Sequence, residues 1–339
     1  MRKDSFFNSF DAALQAHSKF VVISHVNPDG DAIGSSLAFS FFLKKFGHDV
    51  NVMIPNDFPV FLSWMPGVED ITIFDKNPDY GKKLFDEADY ICYLDFNHFS
   101  RSGLMHNDLR KSKAQKVLID HHCDTDFSPF SFYLSETSIS STSELVAEIV
   151  LHYGIDNYLD ENIATNLLVG IITDTGSFAH SIYHPETFSL CAQLVSKSIP
   201  YSEIHGHIYD TFSENRLRLL GFSISNRMEI IDAFSTAIIA LGKADLEAFD
   251  YHVGDTEGIV NYPLSLEKIK MSVLITERQG VIRFSFRSKG KFSVHELALK
   301  YFNGGGHLNA AGGSLTCSLP EAIAKVKSIL PEFPELLNI

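Results

Sequence analysis

Aspartate and histidine stand directly after strand-like apolar runs at three places in this chain, and that recurrence limits the fold more than any other feature. Phe20 to Ser24 (FVVIS) is a run of apolar and small residues that reads as a buried strand of a parallel sheet, and it leads into His25, Asp29, Gly30 and Asp31 before helical spacing begins near Ala32. Tyr90 to Leu94 reads as a second buried strand and ends in Asp95. Lys116 to Ile119 reads as a third and ends in Asp120-His121-His122. Helical patterns alternate with these strands, at about 32–46, 79–87, 141–153 and 160–176, with a further strand at Val50 to Ile54 and another at Ile71 to Phe74. That alternation predicts an α/β fold with a doubly wound, mostly parallel sheet. In such a sheet ligands bind beyond the strands' carboxyl ends, so Asp31, Asp95 and His121 should converge along one edge.

The residue types suit hard or borderline divalent cations such as Mn²⁺, Mg²⁺ or Zn²⁺. Asp29 and Asp31, two residues apart, can each face a different ion. Asn27-Pro28-Asp29-Gly30 also reads as a tight turn with Asp31 capping the next helix. A further carboxylate, Asp174 in Thr173-Asp174-Thr175-Gly176, closes an otherwise apolar helix, where it either meets solvent or is aimed at the cluster. Together His25, Asp29, Asp31, Asp95, His121 and Asp174 supply nitrogen and oxygen ligands for two metals with one carboxylate left to bridge. That is the donor set of a two-metal phosphoester hydrolase.

Other features narrow the class. At 339 residues the expectation is about two domains. We expect 1–197 as the catalytic domain, 198–228 as a helical connector broken near Pro200, and 229–339 as a second, smaller α/β domain. The character turns β-rich at Glu229, with strands expected at Ile230 to Ala233, Thr236 to Leu241, Lys270 to Thr276 and Val281 to Phe286. There is no run of 18 apolar residues and no apolar core to a signal peptide, so cytoplasm is the expected compartment, with no membrane partner. Cys92, Cys123, Cys191 and Cys317 form no C-x-x-C pair, which argues against a disulfide framework or zinc knuckle. A balance of 28 basic against 42 acidic residues gives −14, which argues against gripping long duplex nucleic acid, though not against a short anionic substrate at a cation-bearing site.

In the second domain, Gly304-Gly305-Gly306-His307 reads as a loop whose bare backbone can approach a phosphate, with His307 adding a donor or a stacking surface. Strand alternation places Arg283, Ser285 and Arg287 on one face and Phe284 and Phe286 on the other. Arg287, with Ser288 beside it, is suited to gripping a phosphate.

H-V-N-P-D-G-D-A-I-G-S, the strand-terminal Asp95, the D-H-H triplet and T-D-T-G-S-F occur in that order, and they resemble the four motifs of DHH phosphoesterases. R-F-S-F-R-S-K-G followed by G-G-G-H-L-N-A-A-G-G is similar to the DHH-associated domain of the nanoRNase and phosphoadenosine-phosphate phosphatase branch. The resemblance implies one Mn²⁺ held by His25, Asp29 and Asp95 and a second held by Asp31, Asp95, His121 and Asp174, with Mg²⁺, Co²⁺ or Zn²⁺ as substitutes. It makes Asp95 the bridge, Asp120 an orienting neighbour, and His122 the residue facing the scissile phosphate as donor and candidate general acid. The substrates it implies are short single-stranded RNA, dinucleotides and nucleotide bisphosphates, with Arg283, Arg287, Ser288 and Gly304 to His307 binding the part that does not react. Hydrolysis of cyclic di-adenylate or its linear product is the enzymatic alternative, and a nucleotide-binding regulatory module without turnover is the alternative of another class. A homodimer is compatible with all of these.

Overall fold

The computed structural model describes residues 3–179, 184–278 and 280–337. Its contacts group the chain into two units, Met1–Thr211 and Phe212–Ile339.

The first unit runs α1 (Lys3–Leu14), β1 (Lys19–Ile23), α2 (Gly30–Lys45), β2 (Asp49–Ile54), β3 (Thr72–Ile73), α3 (Pro78–Glu87), β4 (Tyr90–Leu94), α4 (His106–Lys111), β5 (Gln115–Asp120), β6 (Phe132–Ser135), α5 (Thr142–Tyr153), α6 (Ile155–Tyr158), α7 (Glu161–Asp174), α8 (Glu186–Val195) and α9 (Tyr201–Tyr209). Its sheet has the order β3-β2-β1-β4-β5-β6, and every pairing is parallel. The order reverses between β1 and β4, so the carboxyl ends of these two neighbours flank the crevice that such sheets use for ligands. Sequence reasoning expected every strand of this sheet but β6, a four-residue strand, FYLS.

The central strands are buried on both faces, which is why they read as unbroken apolar runs. Two helices pack closely over one face. A Cβ on Gly34 of α2 would run into the Asn166 carbonyl of α7, and one on Gly170 of α7 would run into Ser143 Oγ and lie 2.7 Å from Asp31 Oδ1. These glycines let the two helix backbones approach until Asp31 and Asp174 share one pocket wall. Phe6, Phe10 and Ala13 of α1 enter the same core.

The second unit comprises α10 (Glu214–Asn226), β7 (Met228–Ile231), β8 (Thr236–Leu241), α11 (Lys243–Ala248), β9 (Met271–Arg278), β10 (Val281–Ser288), α12 (Val294–Tyr301), β11 (Gly305–His307), β12 (Ala310–Leu315) and α13 (Leu319–Ile329). Its mixed sheet has the order β11-β12-β10-β9-β8-β7, parallel only between β8 and β9. Of the stretch expected as a connector, 198–228, α9 belongs to the first unit and α10 to the second. Among the described residues no helix is long and apolar enough to cross a membrane.

Candidate metal centre

Each side chain of the centre is set by a strand or helix end. His25 follows β1, Asp95 follows β4, and Asp120 closes β5 immediately before His121 and His122. Asp95 takes a left-handed backbone (φ 64°) while its N–H still reaches the Ile119 carbonyl at 3.2 Å, which turns the chain without leaving the sheet. Asp29, not Asp31, caps α2: its Oδ1 accepts from the N–H groups of Asp31 and Ala32, and this leaves Oδ2 to face His25. Asp31 therefore points inward from the first turn and is almost wholly buried.

The two oxygens of Asp95 face two different groups. Oδ2 lies 3.4 Å from His25 Nε2, and His25 Nε2 lies 4.0 Å from Asp29 Oδ2. Oδ1 lies 3.6 Å from His121 Nε2, which stands 3.5 Å from Asp174 Oδ2 and 4.0 Å from Asp31 Oδ2. Ligand atoms of His25, Asp29 and Asp95 lie within 4.8 Å of one another, as do those of Asp31, Asp95 and His121. Asp174 sits at the end of α7 with its carboxylate turned toward His121, so of its two expected positions the structure adopts the one aimed at the cluster.

The imidazoles are oriented by backbone. His25 Nδ1 is 2.9 Å from the Val26 carbonyl and His121 Nδ1 is 3.3 Å from the Ile139 carbonyl. Carbonyls only accept, so both Nδ1 atoms carry a proton, and in the neutral rings both Nε2 lone pairs face the carboxylates. Lone pairs and carboxylate oxygens converging at 3.4–4.0 Å are too far apart for strong hydrogen bonds and suit ligands that share a cation.

The charges argue the same way. Burial, and then repulsion from Asp95 and Asp174, raise the Asp31 carboxyl well above its ordinary value despite a hydrogen bond from Ser143. Burial would also raise Asp95, but when the rings carry a second proton the hydrogen bond from His25 and the charges of His122, His25 and His121 outweigh it and hold this carboxyl far below the usual range. Burial lowers His121, yet Asp174, Asp95 and Asp120 carry it upward. So much buried negative charge is stable only with positive charge among it. The residues present fit a divalent cation.

Sequence reasoning missed three contributors. The N-terminus of α5 clamps the centre: the N–H groups of Thr142 and Ser143 donate to Asp31 Oδ2 and Oδ1 at 2.7 and 2.8 Å, and Thr142 Oγ1 donates to Asp95 Oδ1 at 3.0 Å. Ser141 caps this helix by accepting from Glu144 N–H, so S-T-S-E before an apolar run was the available signal. The third is Arg101, whose carbonyl accepts from Val26 N–H at 2.7 Å beside His25 and whose charge reaches His122. A single arginine in a loop carries no signal of its own.

His122 is buried, and its Nδ1–H donates to Asp120 Oδ1 at 2.7 Å. Burial and the charge of Arg101 lower its pKa against the pull of Asp120 and Asp95. The other Asp120 oxygen is buried without a hydrogen-bond partner.

In the second unit, Arg283, Ser285 and Arg287 are half-buried on one face of β10, while Phe284 and Phe286 pack with Phe302 on the other. Arg287 Nη1 donates to the Phe286 carbonyl at 3.0 Å. Ser288 is buried, and its hydroxyl donates to the Phe292 carbonyl while accepting from Asn309 Nδ2, so it serves the turn after β10. Gly304 to His307 is not a free loop: Gly305–His307 pair with Ala310–Gly312 as β11, and Gly306 N–H donates to His295 Nδ1. The glycines there are required by closeness, since a Cβ on Gly304 would run into the Gly312 carbonyl.

Residues 19–171 match the DHH family, N-terminal domain, and residues 236–332 match the DHHA1 domain. A Thermus thermophilus protein named bifunctional oligoribonuclease and PAP phosphatase NrnA is 28% identical over 294 residues, 87% of this chain and 83% of its own. A Bacillus subtilis protein of the same name is 27% identical over 305 residues, 89% and 91% of the two chains. The solved structure of an exopolyphosphatase-related protein from Bacteroides fragilis is similar with a TM-score of 0.92 at 39% identity, covering 99% of this chain and 98% of that one.

Proposed function

Because the chain belongs to the DHH family and carries a DHHA1 domain, we propose that it is a phosphoesterase that hydrolyses short RNA oligonucleotides to mononucleotides and 3′-phosphoadenosine 5′-phosphate to AMP. The relatives named oligoribonuclease and PAP phosphatase support the substrate class. The observation that carries the chemistry is Asp95, whose two oxygens face separate histidine–aspartate groups next to His122.

In this reading His25, Asp29 and Asp95 would hold one Mn²⁺, and Asp31, Asp95, His121 and Asp174 would hold a second. Bound divalent cations supply a water-derived nucleophile at neutral pH and charge opposite the phosphate oxygens. The chain's own residues do the rest. The N-terminus of α5 keeps Asp31 and Asp95 from rotating, and Asp120 fixes the ring of His122 by accepting from its Nδ1–H. His122 Nε2 then donates to the departing oxygen when the ring is an imidazolium, the form that the Asp120 carboxylate favours and that burial and the charge of Arg101 oppose.

A substrate panel tests the reading. Purified protein is offered di- to pentanucleotides, 3′-phosphoadenosine 5′-phosphate, cyclic di-adenylate and polyphosphate, before and after chelation. Turnover of the first two substrates, abolished by chelator and restored best by Mn²⁺, is the expected result. Full activity in excess chelator sinks the metal chemistry, preference for cyclic di-adenylate or polyphosphate sinks the substrate assignment, and turnover of nothing leaves a regulatory module.

Arg287 is assigned to a substrate phosphate that does not react. A charge-assisted hydrogen bond of that kind is worth about 1.5–3 kcal/mol, or roughly one to two decades. Arg287→Ala should therefore slow dinucleotide hydrolysis by about that factor and leave bis(nitrophenyl) phosphate almost untouched, because remote binding energy positions only substrates that reach the remote group. Equal losses on both substrates would make Arg287 a structural residue.

A further inference from the structure

The first unit contains a cavity of about 500 Å³ that the proposed chemistry does not use. Its walls include His98 and Phe99 from the segment after β4, His106 and Arg110 from α4, Lys116 from β5, and Asp126 from the loop leading to β6. In a chain of net charge −14, this lining gathers two permanent cations and two imidazoles against one carboxylate.

Neither Arg110 nor Lys116 has an ion-pair partner among the described residues. Arg110 is exposed and makes no hydrogen bond or ion pair among the described residues. Among the described residues Lys116 Nζ donates only to the Ser112 carbonyl, at 2.9 Å, and burial lowers its pKa with no neighbouring acid to offset it. His106 Nδ1 is shielded from solvent and has no hydrogen-bond partner. The single acid, Asp126, accepts from Ser128 N–H at 3.0 Å and its charge acts on His98, not on Arg110 or Lys116. Phe99 supplies an aromatic wall, packed edge-on to His106 with ring centroids 6.3 Å apart.

We propose that this cavity binds an organic phosphate of mononucleotide size, with Arg110 and Lys116 on the phosphate and His106 and Phe99 against the nucleoside. The volume falls in the range of small-ligand sites, and arginine and lysine without acidic partners are the residue types that hold a phosphate. The cavity is also linked to the proposed metal centre, through the chain and through one hydrogen bond. Asn97 lies two residues after Asp95, and its Nδ2 donates at 2.5 Å to the carbonyl of Cys123, the residue after His122. A ligand seated here would bear on both loops. Its phosphate has two sources: a free mononucleotide, or the far end of an oligonucleotide whose other end is being cut. The choice of nucleotides as ligand rests on the proposed function, while the anion site itself rests on the lining.

The test uses the full chain freed of metal by chelator, so that binding is read without turnover and a failure of the hydrolytic reading leaves the result interpretable. AMP and a pentanucleotide are titrated by calorimetry, with the ring resonances of His98 and His106 followed in parallel. Saturable binding that Arg110→Glu weakens about ten- to hundredfold, that Arg110→Lys largely retains, and that shifts the His106 resonances is the expected outcome. A response with AMP alone makes the ligand a free mononucleotide, and one with the pentanucleotide alone makes it a distal segment of substrate. No saturation by either, equal affinity in wild type and Arg110→Glu, or binding that is lost with Arg287→Ala but not with Arg110→Glu would each overturn the site.

Discussion

Asp95→Asn is expected to lower turnover by more than about a hundredfold and to reduce the bound metal, because losing even an outer partner of a metal ligand costs about 10–100-fold and Asp95 faces both groups directly. The substitution keeps the shape of the side chain and offers one oxygen instead of two. Whichever way the amide sits, either the His25 side or the His121 side receives an N–H₂ donor where an acceptor stood. Thr142 Oγ1, which donates to Oδ1, favours leaving the oxygen on its side, so the His25 side should be emptied first. Metal analysis on the purified variant, with a kinetic assay on a dinucleotide, measures both effects. Near-normal turnover with two ions bound would show that Asp95 does not bridge.

The second large effect is kinetic and leaves the metal in place. His122→Ala is expected to cut turnover of a dinucleotide by about 10²–10⁴-fold, the usual worth of a positioned general acid, with metal content unchanged. A substrate whose leaving group needs no protonation, such as a nitrophenyl ester, should lose much less. The sensitivity to leaving group is what separates proton donation from a merely structural role. Asp120→Asn should lie between, since an amide oxygen can still accept from Nδ1–H but adds no charge to favour the imidazolium. Loss of metal in His122→Ala would mean that the two neighbouring histidines have the opposite roles.

Much of the architecture was legible before any coordinates. Strands buried on both faces show as unbroken apolar runs, and polar residues cannot sit inside them, so His25, Asp95 and Asp120 mark strand ends directly. Period-two alternation in β10 likewise separated Arg283 and Arg287 from Phe284 and Phe286. Two strands were not read: β6, and β11, whose glycines read as a loop because glycine marks both turns and close strand contacts.

The sequence by itself determined which side chains stand at strand ends and which face of each strand or helix is apolar, because periodicity records the environment of a residue along its own element. It could not record neighbours. Tertiary structure alone decided that β1 lies beside β4, that α7 carries Asp174 to His121, and that Asp29 rather than Asp31 caps α2. Only the fold, too, aimed the Thr142 and Ser143 N–H groups at Asp31. Every residue except proline has a backbone N–H, so nothing in the letters distinguishes the few donors that are held against a carboxylate; their direction exists only once α5 has packed against α2 and α7.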